Sequence, residues 1–263
     1  MLSVRQYSGI NQFEKRFLKC FDELCRTRSR FNVWNNFIDC SAFAIANQFD
    51  PRKEVRDMKE QLYSTIVKNY SEEENKKISE MLAIVMEAYI DNPAQDFLGK
   101  IYSLLELNNA RNGQIFTPWD VADFMSHITG AESDIDNFGY KSVYDPTCGS
   151  GTMLLAFANY LLNEKKVNYM EHVIFVAQDI DKTVAEMCYI QLSLIGCPGY
   201  VVVGDTISKP VLGSDLFPEV ANQHNIWYTP LWFSNVWVTR RQIHIMESSI
   251  AAGKKNKKKS KTA

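Results

Sequence analysis

Tyr140-Lys141-Ser142-Val143-Tyr144-Asp145-Pro146-Thr147-Cys148-Gly149-Ser150-Gly151-Thr152 is the stretch that decides the fold. Val143 and Tyr144 belong to an apolar-leaning run that reads as a buried strand, ended by an acid, Asp145. Pro146, Gly149 and Gly151 make a tight turn, and the run from Thr152 to Ala158 has helical spacing. Strand, glycine turn and helix in that order bring free backbone N–H groups to a helix start above a strand end, where glycines let the backbone approach a ligand closely. Such a turn is either a ligand cradle or an ordinary connection, and by itself it does not choose.

Downstream, His172-Val173-Ile174-Phe175-Val176-Ala177 is a continuous apolar run of the kind that parallel sheets bury on both faces. It ends in Gln178-Asp179-Ile180-Asp181. A carboxylate at the end of a second strand stands where an adenosine ribose would lie and accepts hydrogen bonds from its hydroxyls, which makes Asp179 the ribose candidate, with Ile180 beside it. Asp181 reads as the N-cap of a helix over 183–194. A third, β-branched strand, Gly199-Tyr200-Val201-Val202-Val203, leads into Gly204-Asp205-Thr206. Asp205 is able to accept from an amino N–H, and taken singly it is equally well a surface acid in a turn. Three successive strands ending in Asp145, Asp179 and Asp205 favour one shared nucleoside pocket over three unrelated turns.

Upstream lie Asp96-Phe97-Leu98-Gly99-Lys100-Ile101-Tyr102 and Gly113-Gln114-Ile115-Phe116-Thr117-Pro118. A residue before proline is pushed out of the α region, so Thr117 projects its hydroxyl sideways while Pro118 starts the next helix. Together with the glycine turn and Gly204-Asp205-Thr206, these segments resemble the adenine-specific DNA methyltransferases, especially the modification subunits of type I restriction systems. The resemblance covers about residues 95–207, with Ile115 standing where the family usually carries an aromatic. It implies an α/β fold: a Rossmann-like S-adenosylmethionine-dependent methyltransferase core, its sheet incomplete, preceded by a small helical domain. It also implies S-adenosylmethionine as cofactor. Gln114, Phe116, Thr117 and Pro118 would hold its methionine part, the turn residues Asp145, Thr147, Gly149, Ser150, Gly151 and Thr152 would cradle it, Asp179 and Ile180 would meet the ribose, and Asp205 would lie near the adenine amino group.

Methylation of an exocyclic adenine amine is difficult because the nitrogen lone pair is delocalised into the ring. The family answers with an Asn-Pro-Pro-aromatic turn after the fourth strand, whose side chain and backbone accept the amino hydrogens while the aromatic stacks on a flipped base. No such turn follows Asp205. The nearest substitute is Ile226-Trp227-Tyr228-Thr229-Pro230-Leu231-Trp232-Phe233, in which Thr229, Pro230 and Trp232 would take the catalytic positions. A threonine hydroxyl accepts only one of the two amino hydrogens. Catalysis is therefore expected to be impaired, and the segment is equally an aromatic cap on the sheet or a docking surface. The expected reading is an adenine methyltransferase-like protein, the alternative a catalytically defective accessory subunit acting through a partner methyltransferase. Either would meet DNA through a separate specificity subunit.

Composition agrees with a globular chain: 46% of the 263 residues are hydrophobic. The six cysteines show neither Cys-x-x-Cys pairs nor Cys/His clusters, so reduced thiols are expected and no metal site is suggested. No signal peptide and no uninterrupted apolar run of membrane-spanning length is present, which points to a cytoplasmic protein. Six lysines fall in the last ten residues, and without them the chain carries 23 basic and 31 acidic residues, a formal −8. An acidic body is a poor nonspecific binder of duplex DNA. The expected organisation is a helical domain over 1–93, a cofactor-binding domain over 94–245 and a lysine-rich disordered tail over 246–263. In the first domain one helix is expected over 11–48, then helices over 53–69 and 72–91, the last capped by Ser71.

Overall fold

The computed structural model describes residues 9–107, 115–130 and 139–259, and the side chains among them up to 250. Four helices open the chain: α1 (Gln12–Leu24), α2 (Arg30–Phe49), α3 (Lys53–Val67) and α4 (Glu72–Asp91). The single helix expected over 11–48 is two. Asn11 closes a capping box with Glu14 at the start of α1, and the Ser29 hydroxyl caps α2, restarting the helix after a bend at residues 25–29. Ser71 and Glu74 form a second capping box at α4, as the sequence suggests.

The remaining helices alternate with strands. After α5 (Phe97–Leu104) and α6 (Trp119–Thr129) come β1 (Lys141–Asp145), α7 (Thr152–Asn163), the short α8 (Tyr169–His172), β2 (Val173–Asp179), α9 (Lys182–Leu194) and β3 (Gly199–Val203). A small hairpin of β4 (Leu212–Ser214) and β5 (Phe217–Glu219), strand β6 (Ile226–Tyr228), a 3-10 turn (Pro230–Phe233) and α10 (Asn235–Lys259) complete it. The main sheet has the order β1-β2-β3-β6. The first three strands run parallel, with Asp145 opposite Ala177 and Asp179 opposite Val203. This is the α/β core that the alternation of apolar runs and helices foretells.

Side chains alternate across β2. Val173, Phe175 and Ala177 enter a large core with α9 and the first helices, while Ile174 and Val176 enter a smaller one with Trp232 and Trp237. The large core continues without a break from Phe17 and Trp34 in the first helices to Met187 and Trp227. The helical segment before residue 93 therefore shares its interior with the sheet rather than enclosing one of its own. Trp34 lies against Tyr102 and Phe17 against Phe97, at ring separations of 5.4 and 5.8 Å.

The tail expected to be disordered from 246 is helical as far as Lys259. Alanine and lysine are good helix formers, and α10 simply runs on through Ala251, Ala252 and the lysines. Among the described residues no helix is long and apolar enough to cross a membrane, and no group of His, Cys, Asp and Glu side chains is arranged to hold a metal.

Candidate cofactor site

The glycine turn sits at the carboxyl edge of the three parallel strands. Gly149 and Gly151 have φ of 52° and 95°, a region that favours glycine. A Cβ on Gly151 would lie 2.8 Å from Cys188 Sγ, and one on Gly149 would meet the Phe116 ring at 3.4 Å. The Phe116 ring thus lies against the bend. Pro118 is the N-cap of α6, and Gln114 lies outside the described residues.

Asp179 straps the turn from the neighbouring strand. Its Oδ2 accepts the Gly149 N–H at 2.9 Å and its Oδ1 the Asp181 N–H at 2.9 Å. Asp145 Oδ1 accepts from the Thr147 N–H at 3.1 Å. Burial first, and then the charge of Asp179, raise the Asp145 carboxyl above its ordinary range. Among the described residues no Lys, Arg or His forms an ion pair with either acid. Two neighbouring carboxylates beside a glycine bend make a local negative potential that a cationic ligand would relieve. Ile180, 70% exposed beside Asp179, offers an apolar surface for a ring. A nucleoside bearing a sulfonium and an ammonium fits this set of acceptors and charges.

Asp205 ends on the same edge but is turned into its own loop, where it accepts from Ser208 Oγ at 2.8 Å and the Ile207 N–H at 3.0 Å. These bonds, Ser208 first, hold its carboxyl below the ordinary range. Thr206 Oγ1 donates to the Pro146 carbonyl at 2.5 Å and ties this loop to the glycine turn. Gln178, wholly buried, accepts from Tyr144 and donates to the Gly204 and Lys209 carbonyls, stitching the three strand ends together.

Two expected cradle residues face the other way. Ser150 and Thr152 are buried, and their hydroxyls donate to Asp96 Oδ2 at 2.5 and 2.6 Å, beneath the turn. Asp96 Oδ1 also accepts the Gly99 N–H and Gln191 Nε2, both at 2.8 Å. The two side chains brace the bend instead of lining it. Beside α5, a cavity of about 390 Å³ is lined by Glu14, Asp96, Gly99, Lys100 and the Phe116–Trp119 segment, and none of the three strand-end aspartates lines it.

The candidate catalytic turn is corrected by strand direction. β6 pairs antiparallel to β3, with Ile226 opposite Val202 and Tyr228 opposite Tyr200, so the chain reaches Thr229 at the amino edge of the sheet. Four residue steps along β3 put it about 13 Å from the glycine-turn edge. Thr229 is 0% exposed; its hydroxyl donates to the Cys197 carbonyl at 2.7 Å and accepts the Gly199 N–H at 3.0 Å. Trp232 is 4% exposed, stacked on Tyr228 at 5.1 Å and covered by the Arg241 guanidinium at 4.4 Å. Pro230 begins the 3-10 turn between them. This hydroxyl and this ring are spent on the fold.

The family model described as N-6 DNA Methylase matches residues 93–262. The chain belongs to the N-6 DNA methylase family. Two curated relatives are similar to it. The Type I restriction enzyme MjaVII methylase subunit of Methanocaldococcus jannaschii is 22% identical over 217 residues, which is 80% of this chain and 35% of that protein. The Type I restriction enzyme MpnII methylase subunit of Mycoplasma pneumoniae is 28% identical over 127 residues, 45% of this chain and 22% of that protein. The chain thus spans about a third of the length of the first relative and less than a quarter of the second. A solved structure from Listeria monocytogenes, described as a class I S-adenosylmethionine-dependent methyltransferase, overlaps 74% of this chain and 54% of that chain at 16% identity with a TM-score of 0.36, too loose an agreement to carry weight.

Within this N-6 DNA methylase chain, sequence reasoning picks out the segment of Asp96 and Gly99 without giving either a role, and it misses Gln191. Asp96, Gly99 and Gln191 hold the underside of the turn, and Gln191 Nε2 also donates to the Ser150 carbonyl at 2.8 Å. A Cβ on Gly99 would lie 2.1 Å from Asp96 Oδ2 and 2.5 Å from Ser150 Oγ, so α5 reaches the turn only because residue 99 has no side chain. The available signal is Asp96 three positions before Gly99, an N-cap spacing, together with two small hydroxyl residues in the turn that need a buried acceptor.

Proposed function

We propose that this chain binds S-adenosylmethionine over the Cys148–Gly151 turn and is the cofactor-holding part of a cytoplasmic adenine-specific DNA methylase of the type I restriction-modification kind, meeting DNA through a separate specificity subunit. The observation that carries this reading is the pair of carboxylates, Asp145 and Asp179, at neighbouring strand ends with no cation of the chain paired to either among the described residues. Bound there, S-adenosylmethionine supplies a methyl group on a sulfonium. In this reading Asp179 accepts from the ribose hydroxyls with the lone pairs that Gly149 and Asp181 leave free, and Ile180 covers one ring face. Phe116, Thr117 and Pro118 hold the methionine end with Gln114, the exposed Thr147 rims the mouth, and Asp205 accepts from the adenine amino group beyond its own turn.

A second reading is favoured by the burial of Thr229 and Trp232 at the opposite edge. In it the chain binds cofactor but leaves base chemistry to a partner methyltransferase, acting as an accessory or regulatory subunit beside methylase or restriction partners. Calorimetric titration with S-adenosylmethionine tests what both readings share. Wild type is expected to bind, and Asp179→Ala to bind more weakly by about 1–3 kcal/mol, the scale for stranding hydrogen-bond partners. No heat with wild type, or no loss in the variant, overturns the site. Transfer of tritium from labelled cofactor to DNA then separates the two: transfer by the chain alone supports the enzyme, and transfer only when a partner methyltransferase is added supports the accessory subunit.

A further inference from the structure

Helix α6 is packed inside out. Its small residues Ala122 and Ser126, followed by Gly130, face α7, where a Cβ on Gly130 would lie 2.2 Å from the Tyr160 ring. Its large apolar residues face water: Val121, Phe124, Met125 and Ile128 are 49%, 64%, 37% and 56% exposed. Their spacing of i, i+3, i+4 and i+7 makes one stripe about 100° wide, the shape a helix normally turns toward a core. A contiguous exposed stripe of this kind marks a surface built to be covered.

The same molecule carries a counterpart. Helix α10 docks its first turns through the buried Trp237 and through Arg241, which donates to the Trp232 carbonyl. Every side chain from 245 to 250 is exposed where the helix projects from the body, and Ile243, Met246 and Ile250 are 48%, 63% and 59% exposed. Ile243, Met246 and Ile250 span the same seven positions along a helix as the α6 stripe. Charge agrees with pairing. Residues 115–130 carry Asp120 and Asp123 and no lysine or arginine, whereas residues 251–259 carry five lysines and no acid.

We propose that the chain forms a twofold dimer in which the projecting part of α10 of each copy lies on the α6 stripe of the other. A reciprocal exchange closes on itself, so both copies cover both stripes and no open filament results. This inference is independent of the cofactor reading.

The test is the mass of the full chain by sedimentation equilibrium, across a wide concentration range, beside Phe124→Glu and Met246→Glu. Both side chains are solvent-exposed, and circular dichroism checks that each variant keeps its helices. The expected result is a two-chain mass for the wild type and loss of the dimer in either variant. A wild type that stays a single chain at every concentration overturns the proposal. So does a dimer that survives either substitution, because each stripe must then have another occupant or none.

Discussion

Lys59 is buried to 1% exposure with its ammonium end 3.5 Å from the centre of the Trp227 ring. Burial first pulls its pKa down from 10.5 to about 7; Arg52 adds to this, and Asp50 and Glu186 oppose it. The unfolded chain therefore binds a proton at Lys59 that the folded chain releases between about pH 7 and 10.5. Stability associated with this residue rises with pH across that window, and the full cost of burying the charge is present below it. Glu186, raised well above its ordinary range by burial, slopes the opposite way but is common to wild type and variant. Lys59→Met is expected to melt at a higher temperature than wild type at and below neutrality, with the gap narrowing toward pH 10, as read by thermal scans at several pH values. Single residues also show how far the sequence could be read. Asp181 as a helix cap and Asp179 as a strand-end acid follow from local chemistry, and both stand where that chemistry puts them. Ser150 and Thr152 do not, because a shared motif fixes a backbone turn without saying which side of it a hydroxyl faces.

At the scale of elements, α5 and β6 hold the two ends of the sheet in different ways. Gly99→Ala would drive a methyl group into Asp96 and Ser150, and such overpacking costs about 1–3 kcal/mol. A lower midpoint in urea together with weaker cofactor binding is expected, since the same contact positions the glycine turn. Thr229→Val gives the opposite pattern. It leaves the Cys197 carbonyl and the Gly199 N–H without their partner and is expected to lower stability by about 1–3 kcal/mol, while cofactor affinity measured by calorimetry stays at the wild-type value. β6 also marks where sequence reading fails. Residues 226–228 form a strand, but nothing in three residues says whether it runs with its neighbour or against it. Arg52 bonds the Ile226 and Gln223 carbonyls from the helical segment, a contact 174 residues distant in the chain for Ile226 and outside any local window. The bend after α1 leaves a fainter signal: Val33 lies nine positions after Leu24, about half a turn out of phase with the repeat of Phe17, Phe21 and Leu24, and Ser29 caps the restart.

Across the whole molecule, one continuous core joins the first helices to the sheet. Trp34 reports on the helical half, and Trp227, packed between Phe43 and Tyr189, on the junction. Urea transitions followed by tryptophan fluorescence and by far-ultraviolet circular dichroism are expected to coincide. A fragment of 94–245 alone is expected to lack a cooperative transition, because Phe97, Tyr102 and Trp227 would lose the rings that cover them.

The sheet also has a direction of growth. Among the described residues β1 and β6 are its two margins, each with a neighbour on one side only; β1 offers five residues parallel to its neighbour and β6 three, antiparallel. New strands could be annealed at β1, in cis or in trans, without unpicking a bond already made. The β6 margin is the shorter template, three residues against five, so a strand that joins this sheet finds more backbone partners beside β1.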